Sequence, residues 1–341
     1  MQRQKPVMTP AILAAITFLI YVACIFGGIY QATLWSQVGY LWDHGWTIAN
    51  WQSPLSDDPA DQLRANSVRP AAHRLRYFLT YPLFWLGSQL GISADRLFTS
   101  LAPLLSATTI WSVARVIVVR SGRPLTCTSL LAILPLAGIY FAMDGRMMLA
   151  FCGFAILLCA HLAPLRTAPY WVALGSAAAL FLTSVSSGTF YSAFTALVVL
   201  SFGTTIRAQT MLARLHGLIP LLFILLLYHS DLSSTLEKTL AYYGGGLSGL
   251  AGMVGHGFGA YFLNLEMTPI MLSALILGMV SCVTIACWLL RRGHETSLSL
   301  VLFTSIAMGV FGYSALSLAL IPACTLAGIE ITRRQPTKGA K

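Results

Sequence analysis

The sequence predicts an all-α, polytopic membrane protein with about ten transmembrane helices. Hydrophobic residues make up 57% of the 341 positions and charged residues only 9%, too few to cover a water-soluble globule of this size. The apolar residues form long runs, and a run of about 20 such residues spans a bilayer as a helix. The seven cysteines lie in or beside these runs without metal-ligand spacing, so we expect neither a disulfide nor a metal.

Hydropathy predicts the helices in chain order. The first, over 10–30, follows the basic start MQRQKP. It lacks a small-residue cleavage site, so we interpret it as a retained membrane span. The other predicted spans are 97–119, 125–143, 147–163, 169–184, 190–205, 213–228, 268–290, 297–312 and 314–330.

The segment 77–92 is apolar but too short to span comfortably, and it contains Pro82 and Gly87. We therefore predict a helix that lies in the membrane interface, anchored by Tyr81 and Trp85. With this assignment the cytoplasmic side holds 14 basic and two acidic residues, and the outer side holds seven basic and nine acidic ones. Because cytoplasmic loops are rich in Lys and Arg, both termini are predicted to be cytoplasmic.

These assignments predict one integral membrane domain over 1–341. The outer face carries the loop 31–96, which includes the interfacial helix, and a Gly-rich loop over 229–267. Spans occupy 97–228, and further spans with a basic cytoplasmic tail occupy 268–341. Nearly every carboxylate lies on the outer face, so we expect any acid or base chemistry there.

The first outer loop combines aromatic, acidic and basic side chains. Aromatic rings stack on the apolar faces of sugars, carboxylates act as general bases toward hydroxyls, and arginines bind phosphate through two hydrogen bonds. The loop therefore predicts a site for a sugar phosphate. An aromatic belt with solvated charges is the alternative for any single residue. The candidates are Asp43, Asp57 and Asp58 for catalysis, and Trp42, Trp46, Arg69, His73 and Arg74 for binding.

Asp144 and Arg146 interrupt a long apolar run at a predicted outer turn. The Asp-Gly pair is ordinary turn chemistry. A cation on the outer side at the head of a span opposes the topology rule and is costly within the membrane. Arg146 is therefore either a residue that binds an anion in a protein cavity or a solvated turn residue.

The order of these parts resembles that of multi-spanning glycosyltransferases of the GT-C type. In those proteins an acidic first loop and an interfacial helix precede a span with an arginine near its start, here Arg96. The stretch DGRMMLAFCGFAILLCAHL is similar to a helix of the EpsG family and related O-antigen polymerases, with Arg146 at the matching position. The resemblance covers about residues 10–200 and is one of layout.

The resemblance implies transfer or polymerisation of polyprenyl-pyrophosphate-linked sugar units at the periplasmic face of a bacterial inner membrane. The product would be an exopolysaccharide or O-antigen. The partners would be the lipid-linked glycan, the bilayer and other polysaccharide assembly proteins. No cofactor is expected, and the scattered basic residues do not favour nucleic acid. Two other classes stay open: a transporter or flippase, which would favour charged or broken helices near the midplane, and a non-catalytic export component.

Overall fold

The computed structural model describes residues 8–31, 42, 71–139, 145–164, 170–184, 192–201, 245–247, 284, 295–308 and 317–334. Every regular element in these ranges is helical, and they contain no strand beyond one isolated β-bridge. The predicted all-α class is thus confirmed for this part of the chain. The helices are α1 (Pro10–Phe26), α2 (Ala71–Leu90), α3 (Ala94–Ser121), α4 (Cys127–Ile139), α5 (Gly145–Leu162), α6 (Tyr170–Ser184), α7 (Ser192–Ser201), α8 (Thr296–Ala307) and α9 (Leu320–Arg334).

The chain forms two compact units. The first comprises Met1–Ala160 and Pro164–Val185, and the second comprises His161–Ala163 and Ser186–Lys341. Helices α1 to α4, α6 and nearly all of α5 belong to the first unit, and α7 to α9 belong to the second. Of the predicted site residues, Trp42, His73, Arg74, Arg96 and the backbone of Arg146 belong to the described part of the first unit.

Helix α3 is central to the first unit. Its 28 residues extend about 42 Å, and it is the one helix in the described ranges that is long and apolar enough to cross a membrane. Helix α1 packs along it, and side chains such as Ile110 and Ile117 are completely buried. The shorter apolar helices include α1, with 17 residues.

Local capping explains the bounds of α1. Thr9 accepts a hydrogen bond from the Ile12 N–H at 3.2 Å, and Pro10 fits the first helical position because its missing N–H would have no partner there. The helix ends at Phe26 because two glycines follow, and Gly28 adopts a φ of 67°. The predicted span continued to residue 30, so these glycines end the helix four residues earlier.

A three-residue corner joins α2 to α3. The chain leaves α2 through Gly91 at a φ of 65°, and the Ile92 N–H donates to the Gly87 carbonyl at 2.9 Å. This is the Schellman arrangement that satisfies carbonyls at a helix end. Ser93 then caps α3 by accepting from the Arg96 N–H at 3.3 Å. Helix α2 therefore ends at Leu90, two residues before the predicted end at 92. Helix α3 starts at Ala94, three residues before the predicted start at 97.

Contacts between distant segments group several helix ends together. Met8 and Leu125 form an antiparallel β-bridge, so the start of α1 lies beside the chain that follows α3. Arg115 donates from Nη2 to the Pro164 carbonyl at 3.0 Å, which brings the last turns of α3 to the residues that follow α5. We call this group the Arg115 end of the first unit.

The opposite helix ends meet through two tyrosines. The Tyr21 hydroxyl donates to the Ala137 carbonyl at 2.8 Å, and the Tyr30 hydroxyl donates to Met148 Sδ at 2.9 Å. The last part of α1 therefore contacts α4 through Tyr21, and the residues just after α1 contact the first turn of α5 through Tyr30. We call this group the Tyr30 end. Helix α1 therefore runs antiparallel to α3.

In the second unit α8 packs against α9. Glu295 precedes α8 with a φ of 47°, a left-handed conformation that is uncommon for a non-glycine residue. Its carboxylate accepts a hydrogen bond from Arg333 Nη2 at 2.6 Å, and its side chain is 3% exposed. The negative charge at a helix N-terminus and the ion pair both stabilise this conformation.

Candidate functional site

The Tyr30 end contains both boundaries of the first predicted outer loop. The chain leaves α1 for this loop just after Tyr30 and returns at Ser93, before the first turn of α3. Helix α5 starts at the same end, and Arg146 is its second residue. The structure thus brings the backbone of Arg146 to the end of the unit where the loop begins and ends.

Two buried tyrosines hold these helix ends together. The rings of Tyr21 and Tyr30 meet edge to face with centroids 5.4 Å apart. Ala137 lies near the end of the described part of α4, so the Tyr21 hydroxyl ties that part of α4 to α1. A hydrogen bond of this kind contributes about 1 kcal/mol.

Met148 connects this pair to α5. Its side chain is fully buried and its sulfur accepts from the Tyr30 hydroxyl. A thioether is a weak acceptor but a well-packing side chain, so the contact fixes the first turn of α5 against the end of α1. Arg146 lies two residues earlier in that turn.

Arg146 occupies an electrostatically unusual position. Its backbone lies in the first turn of α5, and its side chain is outside the described residues, as is Asp144. A cation there opposes the helix dipole at a cost of about 0.3–1 kcal/mol. The free amides of the same turn attract anions, so an anion bound beside Arg146 would reverse this cost.

Arg96 is the third residue of α3, and its side chain is exposed. Its N–H caps the helix through Ser93, as described above. The Thr99 hydroxyl donates to the carbonyl of Asp95, four residues earlier in the same helix, at 2.7 Å. This bond lies in the first turns of α3, next to Arg96. Arg96, like Arg146, therefore lies at a helix N-terminus of the Tyr30 end.

The register of α3 and α5 gives the relative depth of the two arginines. The side chain of Cys152 lies beside that of Thr109, and the side chain of Cys159 lies beside that of Arg115, so the helices run parallel. Counted back from the first pair, Arg146 is six residues away and Arg96 is 13. Arg96 therefore lies about 10 Å beyond Arg146, in the direction away from the Arg115 end.

Trp42, a predicted sugar platform, packs on α2. Its ring stacks on Phe84 with centroids 5.5 Å apart and an interplanar angle of 27°. It also meets Tyr81 edge to face at 5.4 Å. One indole face is thus occupied by Phe84, while Trp85, on the same helix, is 52% exposed. Of the two predicted interface anchors, Tyr81 contacts Trp42 and Trp85 is exposed.

The other predicted site residues are described in part or not at all. His73 and Arg74 lie in the first turn of α2, where the structure describes only the backbone. No group of three or more His, Cys, Asp or Glu that could hold a metal occurs within the described ranges. The predicted residues outside those ranges are Asp43, Trp46, Asp57, Asp58 and Arg69.

Sequence reasoning missed the residues that organise this end. Tyr21 carries a signal that was available, because a hydroxyl within an apolar run requires an acceptor when it is buried. Met148 carries none, since a methionine in an apolar helix is ordinary core. The contacts of Tyr21 and Met148 are therefore established by the structure and not by the sequence. No protein-family model matches the chain, and no curated protein or solved structure is significantly similar to it.

Proposed function

We propose that the chain is a polytopic protein of a bacterial inner membrane, with about ten spans and both termini in the cytoplasm. In this proposal the Tyr30 end faces the periplasm, and the protein transfers or polymerises polyprenyl-pyrophosphate-linked sugar units there. Three properties of the first unit support it: its exposed apolar surface, the distribution of its charges and the position of Arg146.

Exposed apolar side chains support a location in lipid. On α1, Leu19 is 63% exposed and Ile20 is 50% exposed, and on α4, Leu131 and Leu134 are 66% and 65% exposed. Water-soluble proteins seldom expose large contiguous apolar surface. Acyl chains solvate such side chains without a hydrophobic penalty.

The charges of the first unit support the orientation. Arg115 and Arg120 lie in the last two turns of α3 and Arg123 lies just beyond it, at the Arg115 end. Among the described residues of this unit the one acidic residue is Asp95, which lies at the Tyr30 end together with Arg96 and Arg146. Of the residues assigned above to the two ends, those of the Arg115 end are therefore the more basic. Membrane proteins keep their basic loops in the cytoplasm, so the Arg115 end is the cytoplasmic one in this proposal.

The observation that carries the proposed chemistry is the Tyr30 to Met148 hydrogen bond. It ties the helix that starts with Arg146 to the beginning of the loop that contains the candidate carboxylates. A lipid-linked donor has its pyrophosphate at the membrane surface and its sugar farther out. Arg146 and the amides of α5 suit the pyrophosphate, and the more distal Arg96 and the loop suit the sugar.

In the reaction, the acceptor hydroxyl oxygen forms a bond to the anomeric carbon of the donor sugar. A loop carboxylate, Asp43, Asp57 or Asp58, takes the hydroxyl proton as general base. The bond from the anomeric carbon to the pyrophosphate oxygen breaks, and the polyprenyl pyrophosphate leaves. Positive charge at Arg146 stabilises the charge that develops on this leaving group.

Variants of Arg146 test the proposal. The variants are expressed in a strain that lacks the chromosomal copy of the gene. We expect Arg146→Ala to abolish nearly all glycan production. Arg146→Lys should abolish most of it, because a point charge cannot replace two fixed hydrogen bonds. Arg123→Ala removes the same charge from the opposite end and should leave glycan output near wild type. Normal glycan from Arg146→Ala, at a normal protein level, would refute the proposed donor site.

The carboxylates are tested separately. Asp→Asn changes preserve shape and remove the base, so we expect at least one of Asp43→Asn, Asp57→Asn and Asp58→Asn to stop glycan production. Asp61→Asn and Asp95→Asn are the matched controls and should be active. Full activity in all three test variants, with wild-type amounts of protein in the membrane, would leave the transferase without a catalyst and favour an export component.

A further inference from the structure

One side of α3 is less buried than the rest of the helix. From 102 to 117 every residue of this helix is buried except Leu104, Thr108, Trp111 and Arg115. Their spacing of three or four residues puts them on a single face. Leu101 and Val119, both exposed, extend this face in each direction. We call these six residues the α3 stripe.

The stripe changes from apolar to basic along its length. Leu101 and Leu104 form its apolar part, and Leu104 is 57% exposed. At the other end, the Arg115 guanidinium carbon lies 5.8 Å from the Trp111 ring centroid. The hydrogen bond from Arg115 to the Pro164 carbonyl holds the guanidinium in place. Tryptophan and arginine are the side chains that occupy the headgroup level of a bilayer.

The length of the stripe matches one lipid leaflet. Leu104 and Arg115 are 11 residues apart, which is about 16 Å along the helix. Half of the hydrocarbon core of a bilayer measures about 15 Å. An acyl chain that lies along the leucines therefore brings its phosphate to the level of Arg115.

We infer that the α3 stripe binds one anionic phospholipid of the cytoplasmic leaflet. The acyl chain lies on Leu101 and Leu104, and the phosphate accepts hydrogen bonds from Arg115. Charge complementarity selects an anionic headgroup, because Arg120 and Arg123 are close in sequence and the described acidic residue of this unit is at the other end. The inference rests on the proposed membrane location and is independent of glycosyl transfer.

The test uses the purified full chain in detergent and follows its thermal unfolding with added phosphatidylglycerol or phosphatidylcholine. A lipid that binds the folded state raises the unfolding midpoint. We expect phosphatidylglycerol to raise the midpoint clearly more than phosphatidylcholine does. Equal shifts with the two lipids would overturn the inference, as would a dimer in size-exclusion chromatography that covers the stripe and abolishes the shift.

Val119→Glu localises the effect. The new carboxylate lies one turn from Arg115, pairs with it and repels a phosphate, while the contact between Arg115 and Pro164 remains. Because Val119 is 48% exposed, the variant should fold, and its shift is measured from its own lipid-free midpoint. We expect loss of the phosphatidylglycerol shift.

Thr128→Glu is the matched control, since it adds the same charge at an exposed position of the first turn of α4. It should retain the full phosphatidylglycerol shift. Retention of the shift in Val119→Glu would place the lipid elsewhere and overturn the inference. Glycan output is measured independently, so a failed donor site and a failed lipid site give different results.

Discussion

The two ends of the first unit are held together by different chemistry. At the Tyr30 end, buried phenols donate to a carbonyl and a thioether, and no charge takes part in these two bonds. At the Arg115 end, a half-buried guanidinium lies over an indole and donates to the carbonyl of Pro164. Buried neutral contacts are insensitive to ions, whereas the field of a partly exposed cation is screened by salt. The Tyr30 end is therefore fixed by packing, whereas the Arg115 end responds to its ionic surroundings.

Removing the Met148 side chain should break the Tyr30 end most severely. Met148→Ala leaves a cavity in a fully buried position and removes the acceptor for Tyr30, so we expect a loss of about 2–5 kcal/mol in the free energy of unfolding. Met148→Leu keeps most of the volume and should cost less than about 1.5 kcal/mol. Denaturant unfolding in detergent measures both. A Met148→Ala protein as stable as wild type would contradict the assigned packing.

The corner between α2 and α3 gives the next largest effect. A Cβ at position 87 would lie 2.5 Å from the Ile92 carbonyl oxygen, so Gly87→Ala must displace backbone and should cost about 1–3 kcal/mol. In α6, a Cβ on Gly175 meets nothing within 4 Å. Gly175→Ala should therefore stabilise its helix by about 0.5–1 kcal/mol. Unfolding midpoints that move in the same direction for both variants would disprove this account of the corner.

The smallest effect separates the two ends most directly. Tyr21→Phe and Arg115→Gln each remove a hydrogen bond and should each cost about 1 kcal/mol at low salt. When salt is raised, the cost of Arg115→Gln should shrink because the charge is screened, and that of Tyr21→Phe should not change. Paired unfolding curves at low and high salt provide the measurement. Equal salt responses would mean that the two ends do not differ as described.

Among the described residues, helix positions were largely predictable because their causes are local, while the predicted spans 213–228 and most of 268–290 lie outside the described ranges. The predicted span 97–119 corresponds to α3 (Ala94–Ser121), and the predicted helix 147–163 corresponds to α5 (Gly145–Leu162). A continuous apolar run sets the middle of each helix, while its ends depend on caps. Ser93 extended α3 beyond the hydropathy limit, and Gly28 shortened α1.

The contacts that organise the candidate site were not predictable in this way. Tyr30 and Met148 are 118 positions apart, and their pairing depends on which helices pack together. Hydropathy ranks how apolar a helix is and carries no information about its neighbours. The sequence identified Arg146 as unusual from its charge alone, but the contact between its helix and Tyr30 became apparent only from the packing. The candidate carboxylates Asp43, Asp57 and Asp58 stay predictions.

The pair between Glu295 and Arg333 has a consequence for how the chain is made. The carboxylate enters the protein interior before α8, and its partner lies in the last turn of α9. During synthesis, Glu295 therefore emerges from the ribosome 38 residues before the cation that neutralises it. A chain truncated before Arg333 retains a buried carboxylate without this cation, which is unfavourable for the folded second unit. The second unit therefore lacks this ion pair until the last turn of α9 has been translated.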